Sequence, residues 1–103
     1  MANMQELNIR SGYYYGYDAQ SNMLMEECAE LIQAMNKHKR AIASGKGVCE
    51  AIEQLTEEIA DVELMIAQIK HMTGIENISI NNIKCRKINR TRERIENEVK
   101  NDD

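Results

Sequence analysis

The chain has 103 residues and a net charge of −4, and its only aromatic residues are four Tyr. This length holds one domain over residues 1–103 with a modest core, and the acidic balance excludes a general nucleic-acid binder, which must offer phosphates a basic face. No apolar run approaches the roughly 18 residues that span a bilayer and no signal peptide is present, so a soluble, cytoplasmic protein without membrane attachment is expected.

Cys28, Cys49 and Cys85 form no CxxC pair and cannot all pair within one chain. His38 and His71 have no partners at ligand spacing, so the cysteines read as reduced thiols and not as a zinc site. Pro is absent and the apolar residues are mostly Ile, Leu, Met and Ala, which favours long helices over sheets. The fold expected is all-α, a helical bundle whose apolar stripes exceed what one small copy can cover and are completed by oligomerisation.

Residues 1–17 lack helical periodicity and are expected to form an N-terminal arm. Tyr13, Tyr14, Tyr15 and Tyr17, with glycines on both sides, offer either a stacking face for a base or, more commonly, packing of the arm over the bundle or a neighbouring subunit. Asp18 is a candidate N-cap for a helix over about 19–42. That helix ends in Lys37-His38-Lys39-Arg40, where cations suit the negative end of the helix dipole and could also meet a phosphate. Ser44-Gly45-Lys46-Gly47 is a linker and not a phosphate-binding loop, because GxxxxGK[ST] is missing and no strand precedes it. A second helix spans about 48–73, stopped by Gly74. The third, over about 77–98, carries an apolar stripe of Ile80, Ile83, Ile88, Ile95 and Val99. Lys84 and Lys87 fall inside that arc, with Arg90 and Arg94 on its edge; they either snorkel to water or hold an anion near acidic groups. The polar tail, 97–103, is expected to fray.

One acidic device occurs twice. Glu57-Glu58-Ile59-Ala60-Asp61 repeats, in residue type and spacing, the segment Glu26-Glu27-Cys28-Ala29-Glu30 found 31 positions earlier. Each helical residue advances about 100°, so Glu58 and Asp61 stand on neighbouring turns of one face, as do Glu27 and Glu30. The wheel sets Glu58 and Asp61 on the edge of a stripe of Ile52, Leu55, Ile59, Val62, Met65, Ile66 and Ile69. Glu27 and Glu30 lie on the same side of a stripe of Leu24, Cys28, Leu31, Ile32 and Met35. Acids at such spacing are most often a solvated face. Packed antiparallel, however, the two stripes bring four carboxylates together beside a core, and a divalent cation relieves their repulsion. Carboxylate oxygens with water suit Mg²⁺ or Mn²⁺, whereas a di-iron bundle would carry ExxH. A hard cation with basic groups alongside suits a polyphosphate, and phosphoanhydride hydrolysis is the matching reaction class.

The pattern ExxE then ExxD, here Glu27-Cys28-Ala29-Glu30 and Glu58-Ile59-Ala60-Asp61, resembles the signature of the MazG-type all-alpha nucleoside triphosphate pyrophosphatases. The context is similar as well: Gly16 and Gln20 upstream, then EECAELIQA, EEIADVELMIAQI and Lys87-Ile88-Asn89-Arg90, so that the resemblance covers about residues 13 to 96. It implies a helical bundle acting as a homodimer or a dimer of dimers, which hydrolyses a nucleoside or deoxynucleoside triphosphate to the monophosphate and pyrophosphate. It also implies that Glu27, Glu30, Glu58 and Asp61 bind magnesium. Of these, Glu27 and Glu58 are the candidate catalytic residues that orient or deprotonate the attacking water, with Glu26 and Glu57 further out. Lys87 and Arg90 match the family's phosphate-contacting positions. Gln20 and Lys84 join them as candidate substrate-binding residues, Lys84 from its place on the wheel. Two alternatives stand beside this reading. A phosphoribosyl-ATP pyrophosphatase shares fold and acids, and a non-catalytic oligomeric scaffold or nucleotide-binding module would keep the fold alone. The tyrosine-rich entrance is unusual for the family and leaves base and sugar open.

Overall fold

The computed structural model describes residues 2–102, and among them every regular element is a helix: α1 (Met4–Tyr15), α2 (Tyr17–Ser44), α3 (Val48–Thr73) and α4 (Asn77–Asn101). The chain falls into two compact units, Met1–Thr73 and Gly74–Asp103. None of the described helices is long and apolar enough to cross a membrane.

The N-terminal segment corrects its sequence reading, because most of it is α1. The Asn3 side chain caps that helix by accepting from the Glu6 amide at 2.8 Å, and Gly16 closes it at φ 93°, where an L side chain would be strained. Its periodicity escapes a hydrophobicity wheel because its inward face is Asn8 and Gly12, with Ile9 half-buried. Gly16 also stands at the N-cap of α2, where Asp18 was expected. Asp18 lies instead in the first turn, where its charge meets the positive helix end. Gly45 ends α2 in the left-handed conformation, its N–H donating to the Ala41 carbonyl at 2.8 Å. α3 has the expected bounds. α4 continues through Asn101, so the tail expected to fray is helical to that point; Asp103 lies outside the described residues.

Within the first unit α2 and α3 form the main antiparallel pair, and α1 packs mostly on α3. The buried apolar residues of this seam are small: Ala34 and Ala41 from α2, Ala51 and Val62 from α3. Both helices are turned from the orientation their apolar stripes indicate. Ile52, Ile59 and Ile66 remain 48%, 44% and 43% exposed, while the inward face of α3 runs through Ala51, Leu55, Glu58, Val62, Met65 and Ile69. On a wheel of about 100° per residue this is a rotation of roughly 40°, and it carries Glu58 from the border of the stripe to the middle of the packed face. α2 turns alike: Glu27, Leu31 and Ala34 face inward and Ile32 is exposed.

The α1 contact is polar at its centre. Gln68, only 2% exposed, donates through Nε2 to Asn8 Oδ1 at 2.8 Å and accepts through Oε1 from Gln20 Nε2 at 2.8 Å. Asn8 Nδ2 in turn donates to the Leu64 carbonyl at 3.0 Å. Gly12 is what lets α1 approach, since a Cβ there would lie 3.1 Å from Gln68 Cγ and Oε1. Gln68 is hydrogen-bonded on both sides and cannot yield cheaply. Gly12→Ala is therefore expected to lower the thermal midpoint, although alanine carries a helix-propensity advantage of about 1 kcal/mol at an ordinary interior position; a rise in midpoint by calorimetry would show the contact to be soft.

Candidate active site

Helix spacing and the turned seam together build the site. Glu27 projects from α2, and Glu58 and Asp61 project from successive turns of α3. One carboxylate oxygen from each lies within 4.8 Å of the others. Glu30 stands at its border, exposed, one turn beyond Glu27. The structure thus gathers three of the four expected ligands tightly and leaves the fourth at the solvent edge.

The electrostatics are those of a site short of positive charge. Glu27 and Glu58 are half-buried as residues, yet the Oε2 atom of each is sealed from solvent and has no hydrogen-bond partner. Burial of this kind penalises the ionised form, and it is the largest influence on both groups. The Asp61, Glu30 and Glu58 charges add to it at Glu27, whose carboxyl is pushed from 4.5 up to about 7. Glu58 is raised by burial first and then by the charges of Glu30 and Asp61. Among the described residues of the first unit, no basic side chain pairs with the cluster. An oxygen buried without a donor is a group that a cation satisfies, and an all-carboxylate set with room for water suits a hard divalent ion. Glu27, Glu58 and Asp61 therefore fit a metal, with Glu30 placed to join through an exposed carboxylate.

A cavity of about 450 Å³ opens beside the acids. Tyr15 of α1, Gln20, Met23 and Glu27 of α2, and Asp61, Leu64 and Met65 of α3 line it. Gln20, expected to touch substrate, is thus both a cavity residue and a core residue, 6% exposed and bonded to Gln68. Gln68 was missed by the sequence reading; a lone Gln beside an apolar stripe gives no signal of its own. Tyr14 and Tyr15 meet edge to face at 5.0 Å, and Tyr13 is tied instead to the end of α3, its hydroxyl 2.9 Å from His71 Nδ1. Lys84, Lys87 and Arg90 belong to the second unit, where all three are exposed on α4.

The raised carboxyls set a pH dependence. Because the folded chain holds the Glu27 proton more tightly than the unfolded chain does, this stabilisation is complete below 4.5 and is lost as pH rises through about 7; Glu58 acts in the same direction. In the absence of divalent ions the thermal midpoint is expected to fall across that window, and Glu27→Gln is expected to flatten the fall. An unchanged slope in the variant would remove Glu27 as its source.

Comparison with curated proteins and with solved structures returned no match. The profile of the MazG nucleotide pyrophosphohydrolase domain, in contrast, matches residues 16–97, a span that contains both acidic segments, the cavity wall of α2 and α3, and most of α4. With the greater part of its length matched and an all-helical fold, this chain belongs to the MazG nucleotide pyrophosphohydrolase family.

Proposed function

We propose that this protein hydrolyses a nucleoside or deoxynucleoside triphosphate to the monophosphate and pyrophosphate in a Mg²⁺-dependent reaction, with Mn²⁺ as a substitute. The observation that carries this reading is the convergence of Glu27, Glu58 and Asp61 from two helices, with two sealed oxygens that have no donor, beside a cavity of about 450 Å³ that Glu27 and Asp61 help to line. These three residues, with Glu30 at the rim, would hold the cation, which when bound supplies Lewis acidity toward the phosphate oxygens.

The chain's own groups then divide the remaining work. Glu27 and Glu58 each have a second carboxylate oxygen, and one of them orients the attacking water and takes its proton. A carboxyl whose affinity for a proton is raised by its surroundings is suited to that task near neutral pH. Water attacks phosphorus, the α–β anhydride bond breaks, and pyrophosphate leaves with its charge developing on oxygen. Lys84, Lys87 and Arg90, within about 120° of one another around α4, are assigned to neutralise that charge. Tyr15 and the apolar wall at Met23 receive the nucleoside.

We further propose that the working form is a homodimer or a dimer of dimers in the cytoplasm. Ile52, Ile59 and Ile66 recur every seven residues along α3 and stay exposed, as do Ile32 and Ile42 on α2. α4 has no buried residue, with Ile83, Ile88, Ile95 and Val99 at least 44% exposed. Apolar surface of this extent supports coverage by a second copy.

Pyrophosphate release from a panel of NTPs and dNTPs is expected with Mg²⁺ and abolished by EDTA. Glu58→Gln is expected to reduce turnover by at least a hundredfold with helical circular dichroism intact. Release that survives in the variant would remove Glu58 from the assignment, and no release from any nucleotide by the folded oligomer would favour a binding module. Ile59→Glu is expected to shift sedimentation toward the monomer; an unchanged mass would place the interface elsewhere.

A further inference from the structure

The hydrogen-bond relay that seats α1 has a direction. It starts at the Leu64 main-chain carbonyl, which can only accept, so Asn8 must give it Nδ2 at 3.0 Å. Asn8 Oδ1 is then left to accept from Gln68 Nε2, and Gln68 Oε1 to accept from Gln20 Nε2, each at 2.8 Å. Three side-chain amides, any of which could be reversed if isolated, are thereby fixed in one orientation by a single carbonyl. The amide nitrogen of Gln20 is drawn inward toward Gln68, and its oxygen is left at the free end.

That free end belongs to a residue that lines the cavity. The sealed and partnerless side-chain atoms among the described residues are oxygens of Glu27 and Glu58. The Gln20 oxygen, which takes no hydrogen bond in the relay, is not among these sealed atoms and so retains some solvent contact, on a side chain that lines the cavity. Gln20 precedes Glu27 by two helical turns, about 10 Å along the axis at about 1.5 Å per residue. With the phosphates at the acids, that distance passes the sugar and reaches the base.

We infer that Gln68 is a positioning residue and that Gln20 is a specificity-determining one: the relay presents the Gln20 Oε1 as a fixed acceptor, which selects a nucleobase whose edge carries an amino group. An oxo group at that place would set two acceptors against each other, and Gln20 could not relieve the clash by turning its amide without breaking the bond to Gln68. This inference rests on the nucleotide reading of the cavity but not on hydrolysis.

The test is calorimetric titration of the full chain with CTP, dCTP, UTP, ATP and ITP, using Ca²⁺ in place of Mg²⁺ so that binding is read apart from turnover. CTP and ATP are expected to bind about tenfold more tightly than UTP and ITP, the scale of one hydrogen bond gained against one buried acceptor left unpaired. Gln20→Leu is expected to bring both ratios close to one. Gln68→Leu frees the Gln20 amide to turn and donate to an oxo group, so it is expected to narrow both ratios by raising UTP and ITP affinity, whereas mere structural damage would weaken every ligand alike. Should Gln68→Leu fail to fold, Asn8→Ala frees the relay from its other end and must show the same narrowing. Equal affinity for CTP and UTP in the unaltered protein, or a preference that survives Gln20→Leu with helicity intact, would overturn the inference. So would a discrimination seen only between CTP and dCTP, which would give the oxygen to the sugar. Binding preference without pyrophosphate release in Mg²⁺ would uphold it and sink the hydrolytic reading alone, and failure of every nucleotide to bind would sink both.

Discussion

Glu27, Glu58 and Asp61 repel one another across the seam between α2 and α3, and the first unit is arranged around that repulsion. A helix pair free to choose would turn its carboxylates to water. Here the inward face of α3 has Glu58 at its middle, and the larger isoleucines are displaced toward solvent. The seam closes elsewhere over Ala34, Ala41, Ala51 and Val62, side chains that contribute little apolar area each. The arrangement gives up hydrophobic burial and desolvates acids, which is the pattern of a functional site held in place by the surrounding fold and not one optimised for stability.

α1 supplies a second constraint of the same kind. It is seated by an amide relay and a glycine, with Gln68 at the centre of the contact. Polar contacts of this type tolerate fewer alternative registers than an apolar patch, because every donor must meet its acceptor. The α2 residue that ends the relay, Gln20, also lines the cavity, so the seating of the first helix and one part of the cavity wall depend on the same three side chains.

Much of this was legible in the residues. The glycines at 45 and 74 marked the ends of α2 and α3, the absence of Pro allowed long helices, and the doubled acidic segments with their distal cations carried the family. Other parts were not. α1 was invisible to a hydrophobicity wheel because its packed face is Asn8 and Gly12, whose contribution is a hydrogen bond and an absence of bulk. The rotation of α2 and α3 was missed because a wheel centres a helix on its most apolar arc. In this unit the inner arc of α3 runs through Ala51, Leu55, Glu58, Val62, Met65 and Ile69, and Ile52, Ile59 and Ile66 stay exposed. Gln68 carried no signal alone, since its meaning comes from Asn8, Gln20 and Gly12, which lie between 48 and 60 positions away.

The two sealed carboxylate oxygens also tie the protein to its surroundings. Any cation that occupies their site in the folded chain and finds no such cluster in the unfolded one adds to stability by mass action, about 2.7 kcal/mol at a hundredfold excess over its dissociation constant. For a domain with so little buried apolar surface that is a substantial share of what holds it together. The abundance of folded protein would then follow the supply of divalent ions as well as its own synthesis, and the same acids would serve as chemistry and as a gauge of whether that chemistry can be done.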